Sequence, residues 1–148
     1  MRVSIGSAHA GLALKEHVKR YLTDAGHDVT DVGTHAEESV DYPDFARAVG
    51  AAVASGAAER GVLVCGSGLG MAIAANKVPG VRAVQVMDAE MAEMARRHND
   101  ANVVTLAGRY IGPARAESIV DVFLGTEFEG GRHARRVEKI TALDERAR

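Results

Sequence analysis

The sequence has no tryptophan, three phenylalanines, three tyrosines, three prolines and a single cysteine among 148 residues. So sparse an aromatic set offers no platform for nucleic-acid bases, which usually stack on such rings. The charge balance points the same way. Eighteen Lys and Arg stand against 20 Asp and Glu, a net charge of −2 with the histidines neutral. Neither nucleic acid nor an anionic membrane surface is therefore an expected partner. No apolar run nears the roughly 20 residues of a membrane span, and the opening MRVSIGSAHAG turns polar too soon for a signal peptide. One cysteine excludes an internal disulfide, and the expectation is a cytoplasmic protein with a reduced thiol. The length fits one domain over residues 1–148, with room for a proper core.

What is present is a rhythm of short strands and helices. RVSIG (Arg2 to Gly6) is a β-type run. In GLALKEHVKRYLTDAG the residues Leu12, Leu14, Val18, Tyr21, Leu22 and Ala25 fall close to helical spacing, with Gly26 as a stop. HDVTDVG alternates like a half-buried strand. DYPDFARAVGAAVASG predicts a helix with Pro43 near its first turn, where a missing N–H costs nothing. GVLVC is a continuous apolar run of the kind found in buried parallel strands. RAVQV, DAEMAEMARRHN, VVTLAG and PARAESIVDVFLG continue the alternation. The final HARRVEKITALDERAR predicts a charged helix with a thin apolar seam of Val137, Ile140 and Leu143, a candidate subunit contact.

Five β–α units in succession predict an α/β fold, a three-layer α/β/α sandwich around a five-stranded parallel sheet (Rossmann-like), with an extra C-terminal helix. Ligands in such folds sit beyond the carboxyl ends of the strands, at the switch point of the sheet. If strand one lies between strands two and three, the loops GSAHAG and CGSGLG flank that crevice. Gly66, Gly68 and Gly70 let backbone approach a ligand closely, and the amides opening the next helix suit an anion. The loop is neither a dinucleotide fingerprint nor a Walker loop, and by itself it also fits a tight strand-to-helix turn.

Cys65, at the mouth of this loop, reads either as a buried core cysteine or as a reactive thiol favoured by the helix amides. A phosphatase of the C-x5-R kind is excluded, because the sixth residue after the thiol is Met71. A phospho-acceptor receiver domain is excluded too, since it wants Asp where Cys65 stands.

Of six histidines, His17, His27 and His35 read as surface residues. His9 follows strand one inside the predicted crevice, and His98 closes a helix, where it also suits a cationic C-cap. No pair of His, Cys or carboxylates has metal-ligand spacing, so no metal and no cofactor are expected. Arg132 and Arg136, four apart, share a helix face and suit a phosphate, although pairing with Glu129 or Glu138 fits as well. Arg109 lies at the end of the fifth strand. Asp41 to Pro43 fit a helix start.

Taken in order, GSAHAG, DYPDFA, CGSGLGMAIAANK, RHNDANV and EGGRHARRVE resemble the ribose-5-phosphate isomerase B family, which also includes galactose-6-phosphate isomerase subunits, over nearly the whole chain. The resemblance implies a metal-free homodimer or tetramer that interconverts aldose and ketose phosphates through an enediol, most simply ribose 5-phosphate and ribulose 5-phosphate. It implies Cys65 as the base, Ser67 with the Gly66–Gly70 amides on the enediolate oxygens, and His98 in ring opening. Asn99 would bind a sugar oxygen, Arg132 and Arg136 the phosphate with His9 and Arg109, and Tyr42 would line the pocket. Family sites span two subunits, so His98 and Arg109 are expected to serve a neighbour's Cys65.

Some family members place a glutamate base at the position of Met71, which leaves Cys65 as the base here. One departure stands out. The family's first loop usually carries an acid where this chain has Ala8. Losing a charge-assisted hydrogen bond there costs roughly 1.5–3 kcal/mol on a substrate that uses it. A four-carbon sugar 4-phosphate, which cannot close to a furanose, is an alternative substrate, and a non-catalytic sugar-phosphate-binding subunit is a second alternative.

Overall fold

The computed structural model describes residues 1–146. Five strands, β1 (Arg2–Ser7), β2 (Asp28–Asp31), β3 (Arg60–Cys65), β4 (Ala83–Gln85) and β5 (Val103–Ala107), alternate with α1 (Leu12–Asp24), α2 (Tyr42–Ala54), α3 (Leu69–Ala75), α4 (Ala89–Asn99) and α5 (Pro113–Gly125), and α6 (Arg132–Arg146) follows. All pairings are parallel, in the order β2-β1-β3-β5-β4. The expected three-layer sandwich is thus the observed one, and β1 does lie between β2 and β3.

Two apolar cores form because the middle strands are covered on both faces. One joins Val18 and Leu22 of α1, Ala92 and Ala95 of α4 and Phe123 of α5 to Val62 and Val64 of β3. The other joins Val49 and Val53 of α2 and Met71 of α3 to Leu63 and Cys65. GVLVC therefore alternates between two cores, which is why no polar residue interrupts it. β2, at the sheet edge, keeps the half-buried alternation its sequence implies.

The carboxyl edge is braced by a charge buried beneath it. Lys15 has no exposed surface; its Nζ donates to both carboxylate oxygens of Asp31 at 2.9 Å and to the Thr34 carbonyl at 2.5 Å. Burial pushes the Asp31 carboxyl up, but hydrogen bonds from Lys15, the Gly33 N–H and Lys19 outweigh it and hold the group below the usual carboxylate range. Sequence periodicity puts Lys15 on a helix and gives no hint of its burial. The expected C-terminal seam also divides. Val137 is buried, whereas Ile140 and Leu143 are 44% and 56% exposed.

Candidate active site

At the carboxyl edge, between the ends of β1 and β3, lies a cleft of about 360 Å³. Its walls include Ala8, His9, Val40, Tyr42, Cys65, Gly66, Ser67, Gly70, Arg109 and Tyr110. This is the crevice expected at the point where the strand order reverses.

The loop after β3 makes the floor. Gly68 has φ +77, left-handed backbone that favours glycine. Its N–H folds back to donate to Cys65 Sγ at 3.1 Å. A hydrogen bond of that kind stabilises sulfur carrying negative charge. Gly70 is small for a different reason: a Cβ there would come within 2.6 Å of the Tyr42 ring, which lies over it. Ser67 Oγ accepts the Leu69 N–H at 3.2 Å, and the Ser67 carbonyl accepts from Gln85 Nε2 at 3.0 Å. The Arg109 guanidinium reaches across Gly66, close enough that a Cβ there would sit 3.1 Å from its Nε.

His9 is oriented from the opposite wall. Its Nδ1 accepts the Val40 N–H at 3.2 Å. Because a backbone N–H can only donate, the neutral ring carries its proton on Nε2. Val40 is held by the loop that Asp31 and Lys15 anchor, through Gly33 N–H to Asp31 at 2.9 Å and Lys15 to Thr34. Neither Val40 nor Tyr110 was visible as a site residue in the sequence. Nothing local distinguishes a valine whose amide, rather than its side chain, does the contacting.

The remaining expected residues are elsewhere. α4 starts near the carboxyl edge and runs back 11 residues, about 16 Å at 1.5 Å per residue, so His98 and Asn99 lie at the amino edge. His98 does not cap α4; Asp100, with φ +48, is the capping residue. Its ring stacks on His133, centroids 4.3 Å apart and planes 12° apart, which brings the start of α6 and hence Arg132 to the same edge. Among the described residues, neither Arg132 nor Arg136 forms an ion pair. Glu129 is instead held by Arg97, at 3.1 Å. None of His98, Asn99, Arg132 and Arg136 lines the Cys65 cleft of its own chain. Arg109 departs from the expectation that it serves a neighbour, because it lines the same cleft as its own Cys65.

Of the histidines read as surface residues, His35 is exposed. His17 and His27 are half-buried, and His17 Nε2 pairs with Glu117 across to α5 at 2.6 Å. Sequence spacing offers no metal-ligand pair, but packing brings one group of candidate ligands together. His98, Glu129 and His133 each present a ligand atom within 4.8 Å of the other two. Spacing could not reveal the group, since His98 joins it from more than thirty residues away only through the packing of α4 on α6.

Comparison with known proteins is consistent along the whole chain. Residues 3–140 match the family described as Ribose/Galactose Isomerase. The chain is 43% identical to ribose-5-phosphate isomerase B of Escherichia coli, covering 98% of this chain and 97% of that protein. It is also 43% identical to the D-erythrulose-4-phosphate isomerase of Pectobacterium atrosepticum, over 95% and 93% of the two chains. The structure of Mycoplasma genitalium ribose-5-phosphate isomerase B with bound ribulose 5-phosphate superposes with a TM-score of 0.94 at 40% identity, over 97% of this chain and 96% of that one.

Proposed function

The chain belongs to the ribose/galactose isomerase family, and from that premise we propose that it interconverts the aldose and ketose forms of a phosphorylated sugar, ribose 5-phosphate and ribulose 5-phosphate first among them. The observation that carries the reading is the thiol. Cys65 Sγ accepts the Gly68 N–H in a cleft with room for a small sugar, and this isomerisation needs one base that moves a proton between adjacent carbons.

As thiolate, Cys65 takes the proton from C2 of the open aldose. The C–H electron pair becomes the C1–C2 double bond, and charge moves onto O1 as an enediolate. The proton on O2 passes to O1, the O2 charge returns as the ketone, and Sγ–H protonates C1. The electrons stay within the sugar, so no external oxidant or reductant enters. Ser67 and the amides of Gly66 and Gly70 hold the enediolate oxygens as donors oriented before the substrate arrives, the Gly68 and Leu69 amides being engaged by Cys65 Sγ and Ser67 Oγ. His9 donates from Nε2 to the substrate, Arg109 draws its anionic end, and Tyr42 closes the wall.

His98 for ring opening, Asn99 for a sugar oxygen and Arg132 with Arg136 for the phosphate come in this reading from a second copy, in a homodimer or tetramer with the site between subunits. Leu69 and Ile73 of α3, with Ile140 and Leu143 of α6, are exposed apolar residues that such a contact covers. A second reading rests on Ala8, only 5% exposed and in the cleft wall, where the resemblance implies an acid. It takes a four-carbon sugar phosphate as the substrate.

The test is turnover on tetrose, pentose and hexose phosphates, in aldose and ketose forms, with Cys65→Ala alongside. Pentose turnover falling by about 10²–10⁴ in the variant is the expected result for loss of a general base. Unchanged turnover in Cys65→Ala removes the thiol from the mechanism. Tight binding without turnover makes the chain a sugar-phosphate-binding subunit.

A further inference from the structure

We propose that His98, Glu129 and His133 form a site for a borderline transition-metal dication of the Zn²⁺ class, bound through two imidazole nitrogens and one carboxylate. One ligand atom from each residue lies within 4.8 Å of the others. The two rings are stacked, and both Nε2 atoms face one carboxylate: His98 Nε2 is 3.9 Å from Oε2 of Glu129, and His133 Nε2 is 3.9 Å from Oε1. Metal–ligand bonds of about 2.0–2.2 Å require these atoms to draw together by about 1 Å. A splay of the stacked rings and a rotation of the half-exposed Glu129 side chain, which gives up its 3.1 Å contact with Arg97 Nε, achieve that movement.

The second observation is an unmet need. His133 is 6% exposed, and its Nε2 is buried without any hydrogen-bond partner. Buried polar nitrogens are nearly always satisfied, and a metal ion at the mouth of the stack satisfies this one. The frame is firm. Glu129 N–H donates to the Arg97 carbonyl at 3.1 Å, and Glu129 and His133 stand four apart across the start of α6.

The same surroundings select the metal. One carboxylate is too few oxygens for Ca²⁺ or Mg²⁺, and Arg97, Arg132 and Arg136 make a poor setting for a hard cation. Two imidazoles suit Zn²⁺, Co²⁺, Ni²⁺ or Cu²⁺. The arginines weaken the site relative to a structural zinc site, and three protein ligands leave a coordination position open. On the role proposed above for His98, an occupied site withdraws its Nε2 from ring opening, and the metal inhibits. That consequence rests on the proposed function; the binding does not.

The test is titration of the chelator-treated full-length protein with Co²⁺, followed by displacement with Zn²⁺, read by the visible d–d absorption of bound cobalt. One Co²⁺ per chain, displaced by Zn²⁺, is expected. Affinity should fall by more than about tenfold in His133→Ala and in Glu129→Gln, and stay unchanged in Cys65→Ser. Glu129→Gln alters a half-exposed side chain, so a folding defect in His133→Ala does not blunt the test. Absence of saturable binding overturns the proposal. So does binding that survives both His133→Ala and Glu129→Gln, or binding that vanishes in Cys65→Ser. Turnover of ribose 5-phosphate is measured separately. Zn²⁺ inhibition reversed by chelator supports the site and its consequence, whereas binding without inhibition supports the site and removes His98 from ring opening.

Discussion

The two edges of the sheet are built from different materials. At the carboxyl edge the floor of the cleft is set by backbone: glycines around the thiol, an amide on Cys65 Sγ and another on His9 Nδ1. At the amino edge long side chains gather instead: Arg97 and His98 of α4, Glu129 just before α6, and Arg132, His133 and Arg136 of α6. Backbone donors are already oriented, so the cleft keeps its shape without a ligand. The amino edge has surplus cationic charge, a buried nitrogen without a partner and no Cys65. Each edge lacks what the other holds, and under the proposed function the two would be complementary halves of a site, met only when two chains pair.

The sharpest way to break that comparison is to disable one edge in each of two chains. Cys65→Ala alone and Arg136→Ala alone are both expected to be severely impaired. Co-refolded in equal amounts, random pairing makes half the dimers mixed, each with one intact site, and activity should recover to about a quarter of the wild type. No recovery above the sum of the two variants would confine each site to one chain.

Next in size is the brace beneath the cleft. Asp31→Ala leaves the buried Lys15 ammonium only the Thr34 carbonyl and the more exposed Glu16 carboxylate at 3.3 Å, and should cost about 3 kcal/mol in urea unfolding. The Asp31 carboxyl is depressed in the folded state, so its contribution is complete above the unfolded carboxylate range, near pH 4, and is lost as pH falls further. The wild type should therefore lose stability on acidification below about pH 4 more steeply than Asp31→Ala. Equal slopes would contradict the assignment.

Smaller effects separate binding from chemistry. Arg136→Lys keeps the charge but loses the planar fork, and should raise KM about tenfold with kcat nearly unchanged; a fall in kcat alone would take Arg136 off the phosphate. Ala8→Asp should shift kcat/KM toward pentose over tetrose phosphate by about tenfold, the low end of a regained charge-assisted hydrogen bond. An unchanged ratio would leave Ala8 a tolerated substitution.

Much of this was legible in one chain of letters. The alternation of apolar runs with periodic segments settles the α/β class, because a parallel strand covered on both faces must be apolar throughout, as GVLVC is. The loop CGSGLG announces itself, because close backbone approach and left-handed turns demand glycine. Topology then brings GSAHAG and CGSGLG to one edge by a rule that holds for all such sheets. His98 and Arg132 were legible as candidates but not as neighbours of one another; only the family resemblance implied that His98 serves a neighbour's Cys65, and it implied the same, against the structure, for Arg109.

The sequence by itself thus determined the fold class, the thiol-bearing loop and the family motifs in their order. These depend on local periodicity and on residues with unique backbone freedom. Only the tertiary structure decided that Lys15 is buried under the cleft wall, that the Val40 amide orients His9, that Arg109 lies with its own Cys65, and that His98 meets Glu129 and His133. Each of those is a contact between segments distant along the chain. Such contacts follow from how helices pack on a twisted sheet, and a residue's letter and its near neighbours carry no record of that packing.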